Sequence, residues 1–384
     1  MFDSFGLYVH IPYCRAKCPY CDFNVHVVPR RPEDRYVDAL VAEVARHAER
    51  EPFAGRRIAT VYFGGGTPSL FAPRSIERVL AACRRGFVIE PSAEVSLEAN
   101  PENARVETLR GYLDAGVNRL SFGIESFQPH VLRRLGRMQT AGETRGAVPA
   151  AREAGFTNVS LDLMFAVPGQ SLADWRNDLD LAVASGAEHL SAYNLTYEEG
   201  TPFDELRRSA KLAPLADDVE AAMFETARER LESAGYRAYE VSNFAKPGFE
   251  SRHNRNYWRV GAYLGIGAGA HSHEPRGCGA RRSANEREPE RYIRRIREQG
   301  VAVASEESLE RTAAAGEFVF LHLRTAEGVD EQSFASRFRA TVDELFPAIR
   351  ALVDEGLLER AEPSYIRLTR RGLLVADSVF TAFV

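Results

Sequence analysis

The residues best suited to chemistry lie close together near the beginning of the chain, at Cys14, Cys18 and Cys21. Three thiolates with no fourth cysteine nearby suit an iron–sulfur cubane, because such clusters are held by cysteine thiolates, normally four. With three protein ligands, one iron stays open and can chelate the amino and carboxylate groups of a small molecule such as S-adenosylmethionine (SAM). An electron passed into the sulfonium would then release a carbon radical. The spacing therefore predicts a radical-generating [4Fe–4S] centre.

Two other interpretations of the three cysteines stay open at this level. A structural zinc ion would need a fourth ligand such as His10 or His26, but no second pair of cysteines accompanies the first. Alternatively, the three thiols only fill space in the interior. Of the remaining cysteines, Cys83 lies in an amphipathic stretch that predicts a core position, and Cys278 lies in a Gly-Cys-Gly loop.

Short apolar runs that favour strands alternate with longer amphipathic stretches that favour helices. The predicted strands are Leu7–Ile11, Ile58–Phe63, Glu94–Glu98, Arg119–Ile124, Val159–Phe165 and His189–Leu195. The predicted helices are Glu33–Arg50, Ser75–Arg85, Arg105–Ala115, Thr140–Ala154 and Leu172–Ser185. Six β–α units in series predict an α/β fold with a parallel sheet, either an open partial (β/α)6 barrel or a doubly wound sheet.

In both arrangements ligands bind at the carboxyl ends of the strands, and the polar residues of this chain are concentrated there. The cysteines follow the first strand, and the second strand ends in the glycine triplet 64–66. At the ends of the later strands stand Glu98, Asn100, Glu125, Asp162 and Tyr193. The pattern predicts a single site on one rim of the sheet.

The pattern of the chain changes after about residue 247, so we predict three regions. These are a barrel at residues 1–247, a linker at residues 248–300 and a mostly helical domain at residues 301–384. The linker contains His253-Asn254-Arg255-Asn256-Tyr257-Trp258 and then a Gly-rich loop that reaches His271 and His273. A short strand pair near residues 357–368 makes the last region resemble a winged-helix domain.

Composition excludes several classes of protein. The net charge is −5 and the basic residues are scattered, whereas a nucleic-acid binder should show a basic domain or stripe. No apolar run approaches the roughly 20 residues of a membrane span, so we expect at most peripheral membrane contact. The first residues lack the pattern of a signal peptide. Five cysteines cannot build a disulfide framework in so long a chain, and we expect a cytoplasmic protein.

The cysteine segment, from Tyr8 to Phe23, resembles the radical SAM signature of the coproporphyrinogen-oxidase-like family. The similarity continues through Gly-Gly-Gly-Thr-Pro-Ser at 64–69, Ser-Leu-Glu-Ala-Asn-Pro at 96–101 and Val-Pro-Gly-Gln at 167–170. The resemblance implies a partial radical SAM barrel with a small C-terminal domain, and a [4Fe–4S] cluster on the three cysteines. It also implies that SAM or a second ligand is contacted by Tyr8, Tyr20, Gly64, Gly65, Gly66, Thr67, Glu98, Glu125, Arg137 and Asp162.

Two positions depart from the family pattern. Glu125 stands where a Gln is expected, and Phe165-Ala166-Val167 replaces the usual Tyr-Gly-Leu. Both departures bear on the roles of single residues more than on membership of the family.

The family contains oxygen-independent coproporphyrinogen III oxidases, which decarboxylate two propionates, and haem chaperones, which bind haem and pass it on. Three features favour the chaperones. The oxidases carry a further cysteine where this chain has Phe23, and they have a long segment before the cluster loop, whereas here the first strand begins within a few residues of Met1. Finally, His253-Asn254-x-x-Tyr257-Trp258 matches a motif of the chaperones.

The motif also suits haem on chemical grounds. A neutral imidazole such as that of His253 is a good axial ligand of haem iron. Flat side chains can cover the porphyrin face, and neighbouring arginines can pair with its propionates. His271, His273 and Cys278 are alternative ligands. We therefore predict a haem chaperone that holds a SAM-associated cluster and serves haem acceptors such as cytochromes. The alternatives are a coproporphyrinogen oxidase and a zinc-stabilised interaction module.

Overall fold

Parallel strands joined by helices form the centre of the computed structural model, which describes residues 4–383. The six strands of this central part are β1 (Ser4–Ile11), β2 (Arg57–Gly65), β3 (Val88–Ala99), β4 (Arg119–Glu125), β5 (Val159–Phe165) and β6 (His189–Asn194). Each strand pairs in parallel with the next one along the chain. The predicted partial (β/α)6 barrel is confirmed, and every predicted strand is present.

The five predicted helices begin and end close to the predicted residues, whereas the helices at Pro129–Arg134, Pro202–Arg208 and Asp217–Ser233 were not predicted. Eight helices therefore belong to this part of the described residues. They are α1 (Glu33–Ala48), α2 (Pro73–Gly86), α3 (Val106–Ala115), α4 (Pro129–Arg134), α5 (Ala141–Ala154), α6 (Leu172–Ala184), α7 (Pro202–Arg208) and α8 (Asp217–Ser233). Gly116 and Gly155 end α3 and α5 in the left-handed conformation, with φ of 111° and 107°, which glycine adopts without steric cost. Within residues 4–383, no helix combines the length and apolar character needed to cross a bilayer.

The sheet continues beyond the barrel on both sides. The additional strands are β7 (Arg237–Ala238), β8 (Asn243–Ala245), β9 (Tyr263–Ile266), β10 (His271–Arg276), β11 (Gly279–Asn285) and β12 (Val303–Leu309). Strands β8 and β7 extend it from β6, and β9 to β12 extend it from β1, so that the sheet of the described residues has twelve strands. The region from 248 to 300, predicted as a linker, therefore supplies three strands of the main sheet, together with α9 (Arg252–Trp258) and α10 (Pro289–Gln299).

The glycines of this region explain why it resembles a loop in sequence. A Cβ atom on Gly265 of β9 would collide with the backbone carbonyl of His271 at the start of β10. Glycine here allows two strand backbones to approach closely, which is a known use of the residue inside sheets. Strand β12 lies in the region predicted to be mostly helical, and this part of the prediction was wrong. The strand is at the edge of the sheet, where charged residues are common.

A small domain follows the sheet. Its helices and strands are α11 (Arg311–Leu323), β13 (Val329–Asp330), α12 (Glu331–Phe338), α13 (Val342–Leu345), α14 (Ala348–Asp354), β14 (Leu358–Ala361), β15 (Tyr365–Leu368), α15 (Arg370–Leu374) and α16 (Ala376–Phe380). Three short 3-10 helices complete the structure: Pro68–Leu70 and Pro101–Asn103 lie in the barrel, and Thr381–Phe383 lies in the small domain. The domain has its own apolar core, in which Phe318, Phe334 and Phe338 pack together with centroids 4.8–5.8 Å apart. The predicted winged-helix-like domain is confirmed.

A buried carboxylate joins α1 to the added strands. Glu43 is 2% exposed and accepts hydrogen bonds from the Tyr292 hydroxyl at 2.6 Å, the Asn285 amide at 2.7 Å and the Gly267 backbone N–H at 2.9 Å. Burial raises the pKa of the Glu43 carboxyl to about 7, although the three donors favour its ionised form. The native fold therefore binds a proton at Glu43 at a pH where the unfolded chain has released it.

Replacing Glu43 by Gln is expected to flatten the pH dependence of stability. The wild-type contribution is fully present below the ordinary carboxyl pKa of 4.5 and is lost as the pH rises to about 7, with a slope of at most about 1.4 kcal/mol per pH unit. The amide does not titrate, so the variant carries only a constant offset. Denaturant unfolding of both proteins across this range measures the difference. Parallel curves for the two proteins would contradict the assignment.

Candidate functional site

The loop after β1 carries the three cysteines and is closed at its base by backbone hydrogen bonds. The Cys14 N–H donates to the carbonyl of His26 at 3.1 Å, and the His26 N–H donates to that of Pro12 at 2.6 Å. A turn brings the Cys21 N–H to 3.1 Å from the Cys18 carbonyl. All three thiols are unpaired and half-buried, and they line a cavity of about 410 Å³ at the carboxyl ends of the barrel strands, hereafter the barrel cavity.

The two histidines considered as zinc ligands are placed differently from the thiols. Both ring nitrogens of His10 are engaged, Nδ1 with the Tyr8 hydroxyl and Nε2 with the Asn24 carbonyl, each at 2.9 Å. His26 does not line the barrel cavity. Within residues 4–383, no three Cys, His, Asp or Glu side chains converge as ligands of a single ion would. The donor set that faces the cavity is three sulfurs from one loop, which fits a cluster with an open iron better than a four-ligand zinc site.

The glycine triplet packs directly under the cysteine loop. A Cβ on Gly66 would stand 2.7 Å from the carbonyl oxygen of Tyr13 and 2.9 Å from its backbone nitrogen. The next residue, Thr67, donates its N–H to the same carbonyl at 2.9 Å, and its hydroxyl lies 3.5 Å from the Cys14 sulfur. The absence of a side chain at Gly66 therefore lets the backbone of Tyr13, and with it that of Cys14, lie close against the triplet.

Two carboxyl groups, on the strands at either side of β4, face the barrel cavity. Glu98 accepts from the Tyr62 hydroxyl at 2.8 Å and from the Gly65 N–H at 3.1 Å, while Asp162 accepts from Ser191 at 2.6 Å and from Ser121 at 3.0 Å. Burial raises the pKa of both groups, that of Glu98 to about 7. Carboxyls with shifted pKa values inside a cleft are typical of binding and catalytic sites.

Arg137 connects the cysteine loop with β4. Its guanidinium donates to the Gly123 carbonyl at 2.8 Å and to the Asn100 side chain at 3.2 Å, and it lies 3.7 Å from the Glu125 carboxylate. The same group is 3.9 Å from the sulfur of Cys18. Glu125 has a φ of 59°, a left-handed conformation that a non-glycine residue adopts at a cost and that is found mainly where function or tight packing requires it.

Ala166 stands where the family pattern has glycine, and its backbone conformation explains why glycine is usual there. Ala166 has a φ of 61°, in the left-handed region that glycine enters freely. The chain thus keeps the local backbone geometry with a residue that is strained by it.

Sequence analysis missed the base of the barrel cavity. Arg119, the first residue of β4, is 2% exposed, lines the cavity and leaves its Nε without a hydrogen-bond partner. Ser160 and His189 line the same end and bond to each other at 2.7 Å. The available signal was an arginine at the start of an otherwise apolar strand, since a buried cation normally needs a partner.

A second cavity, of about 590 Å³, lies beside the first; we call it the outer cavity. Its walls come from β1, the cysteine loop, α9, β9, β10 and α11, and they are rich in aromatic rings. The aromatic residues are Tyr8, Phe23, Tyr257, Trp258 and Tyr263. Phe23, Gly65 and Glu98 line both cavities, so the two spaces share a wall.

His253 lies behind the aromatic wall of the outer cavity. It is fully buried, and its Nδ1 and Nε2 each lie 2.8 Å from a hydroxyl, those of Thr60 and Tyr257. Burial lowers the pKa of its imidazole to about 3, so the ring is neutral. In this arrangement, both nitrogens of His253 are occupied, and the ring fixes the orientation of Tyr257.

The structure brings together most of the residues predicted to contact the cluster or SAM. Those that line the barrel cavity are Cys14, Cys18, Tyr20, Cys21, Gly65, Gly66, Thr67, Glu98, Glu125, Arg137 and Asp162. Two others are placed elsewhere: Tyr8 lines the outer cavity, and Gly64 is packed between rings, where a Cβ would lie 2.9–3.0 Å from Tyr62 and Tyr8. His253, which was predicted as a haem ligand, is buried behind the outer cavity. Cys83 is buried in α2 and Cys278 is exposed.

Comparison with known proteins places these features in context. Residues 8–182 match the Radical SAM superfamily, and residues 309–375 match the HemN C-terminal domain. Heme chaperone HemW of Bacillus subtilis is 36% identical over 98% of both chains, and that of Escherichia coli is 34% identical over 99% of this chain and 98% of its own. The solved structure of coproporphyrinogen III oxidase (HemN) from Escherichia coli superposes with a TM-score of 0.84 at 25% identity, covering 99% of this chain and 90% of the oxidase.

Proposed function

This chain belongs to the HemW family of radical SAM proteins, and from this membership and the geometry of the two cavities we propose that it binds haem and transfers it to acceptor proteins. The observation that carries the proposal is the pair of adjoining cavities. One is lined by three free thiols and polar groups, and the other by aromatic rings and histidines. A cluster and a flat apolar cofactor need these two different surroundings.

In the barrel cavity, we propose that Cys14, Cys18 and Cys21 hold a [4Fe–4S] cluster whose open iron takes SAM. When bound, this pair supplies single-electron chemistry. The residues of the chain that would contact SAM or a second ligand are Tyr20, Gly65, Gly66, Thr67, Glu98, Glu125, Arg137 and Asp162. Their support is the shared cavity and the hydrogen-bonding groups that they present to it.

In the outer cavity, we propose that the aromatic wall covers a haem face. The predicted ligation of the haem iron by His253 stays a prediction, and it requires that the 2.8 Å hydrogen bond between His253 Nε2 and the Tyr257 hydroxyl first breaks. Without that change His253 is a positioning residue, because it orients the Tyr257 ring. We also propose acceptors such as cytochromes, and a cytoplasmic location, which suits the unpaired state of all five cysteines within the described residues.

An anaerobic haem titration of the cluster-reconstituted protein is expected to show a saturable Soret shift at one haem per chain. His253→Ala is expected to weaken binding by about tenfold, because Tyr257 loses its hydrogen-bond partner. Mixing the loaded protein with an apocytochrome should then move the haem to the acceptor. The absence of a saturable shift in the wild-type protein would refute the proposal.

The structural likeness to an oxidase favours one second candidate, radical decarboxylation of coproporphyrinogen. Incubation with that substrate, SAM and a reductant would reveal it through formation of protoporphyrinogen and cleavage of SAM. Formation of neither product, together with a positive haem titration, would leave the chaperone function alone.

A further inference from the structure

Two histidines of β10 face the outer cavity, and they differ in availability. His271 and His273 are two residues apart on the strand and both line the cavity. The His273 ring is buried, with Nδ1 3.0 Å from the Gly261 carbonyl and Nε2 4.0 Å from the Glu317 carboxylate. The His271 ring is exposed and, within residues 4–383, makes no hydrogen bond. Of the histidines at this cavity, His271 is therefore the one that can accept a ligand without breaking a contact.

The mouth of the cavity beside His271 carries a free cation. Arg287 is exposed, lines the cavity and has no ion-pair partner among the described residues. His271 and Arg287 both line the outer cavity. A guanidinium at this place suits a carboxylate of the ligand. A residue suited to ligate iron, His271, and a residue suited to pair with a propionate, Arg287, therefore line the same cavity.

The walls of the cavity lack hydrogen-bond partners for some of their own polar atoms. Trp258 Nε1 is buried and unpaired, as are His273 Nε2 and Glu317 Oε2. Buried polar groups are nearly always satisfied, and exceptions point to a missing ligand or water. On the other side Phe23 is 64% exposed, a large apolar surface that a flat ring would cover. These features describe a cavity built for a partner that is both aromatic and charged.

We infer that the haem lies in the outer cavity with its iron ligated by His271 and a propionate paired with Arg287. The inference deepens the proposed function and rests on it. It assigns the ligand to β10 rather than to the His253 motif, and it gives that motif the role of holding the aromatic wall.

The test compares haem complexes of the anaerobic, cluster-reconstituted wild-type protein with those of His271→Gly, His253→Ala and His130→Ala. His130 lies outside both cavities, in α4, and controls for adventitious binding to a surface histidine. Absorbance and resonance Raman spectra report the axial ligand independently of affinity. We expect His271→Gly to lose the imidazole-type spectrum and to bind haem at least about tenfold more weakly. When imidazole is added to this variant, we expect the spectrum to return and to stay with the protein fraction on gel filtration. The other two variants should keep the wild-type band positions.

The possible failures are distinguishable. A wild-type spectrum and affinity in His271→Gly would overturn the assignment of the ligand, while the proposed haem binding would stand. Loss of the imidazole-type spectrum in His253→Ala but not in His271→Gly would do the same and would favour the motif histidine. No saturable binding by the wild-type protein would refute the proposed function itself. Arg287→Ala supplies a second readout, because losing a propionate partner should weaken affinity without moving the ligand bands.

Discussion

Serine in place of Cys18 is expected to abolish the iron–sulfur cluster while the barrel remains folded. The hydroxyl is a poor ligand for iron compared with a thiolate, and the cavity offers no fourth cysteine to replace it. Cys18 lies in an irregular loop outside the barrel strands, so the fold does not depend on its sulfur. We expect iron and acid-labile sulfide in the reconstituted protein to fall by at least about tenfold, with unchanged far-UV circular dichroism.

The matched control is Cys278→Ser, since that thiol is exposed and lies outside both cavities. Iron, sulfide and the brown colour should all survive the control substitution. Equal cluster content in the Cys18 and Cys278 variants would contradict the assignment of the loop as the cluster site.

A single methyl group on Gly66 is expected to have the second largest effect. Its Cβ would meet backbone atoms of Tyr13 at 2.7–2.9 Å, and backbone yields less readily than a flexible side chain. Because Tyr13 precedes Cys14, the displacement passes directly to the first cluster ligand. Gly66→Ala should lower the free energy of unfolding by about 1–3 kcal/mol and reduce cluster loading severalfold. Denaturant unfolding and iron analysis measure the two effects.

The same substitution at Gly146 is expected to have the opposite effect on stability. Gly146 is exposed within α5, and among the described residues no atom outside its own stretch of helix lies within 4 Å of the Cβ that alanine would add. Alanine is the better helix former by about 1 kcal/mol, so Gly146→Ala should raise stability and leave the cluster unchanged. Equal effects of Gly66→Ala and Gly146→Ala on stability and cluster content would contradict the importance given to the close packing of Gly66 under the cysteine loop.

The barrel could be predicted from the sequence because its signals are local. Strands such as Val159–Phe165 are short runs made mostly of apolar residues, and helices such as α3 end in a glycine with the left-handed conformation. Both signals lie within a few residues of the element that they define. Their order along the chain then places the polar residues at the strand ends on one rim.

The remaining parts depend on contacts between distant segments. Whether Gly265 belongs to a loop or to a strand depends on the backbone of His271 facing it. Likewise, Arg119 becomes part of the site only when β4 turns it into the barrel cavity. The outer cavity is assembled from the cysteine loop, β10 and α11, and the cysteine loop precedes the other two segments by more than two hundred residues. No local pattern in the sequence predicts contacts between segments so far apart along the chain.

The wall shared by the two cavities has a thermodynamic consequence. The Glu98 carboxyl lines both spaces, and its pKa of about 7 leaves it partly protonated near neutrality. A ligand in one cavity that favours one charge state of Glu98 changes the electrostatic potential in the other cavity, and so changes the affinity for a ligand there. Such coupling is reciprocal by necessity: whatever factor the first ligand adds to the affinity for the second, the second adds to the affinity for the first. Any two ligands coupled in this way would bind as linked equilibria, with Glu98 as the residue common to both cavities.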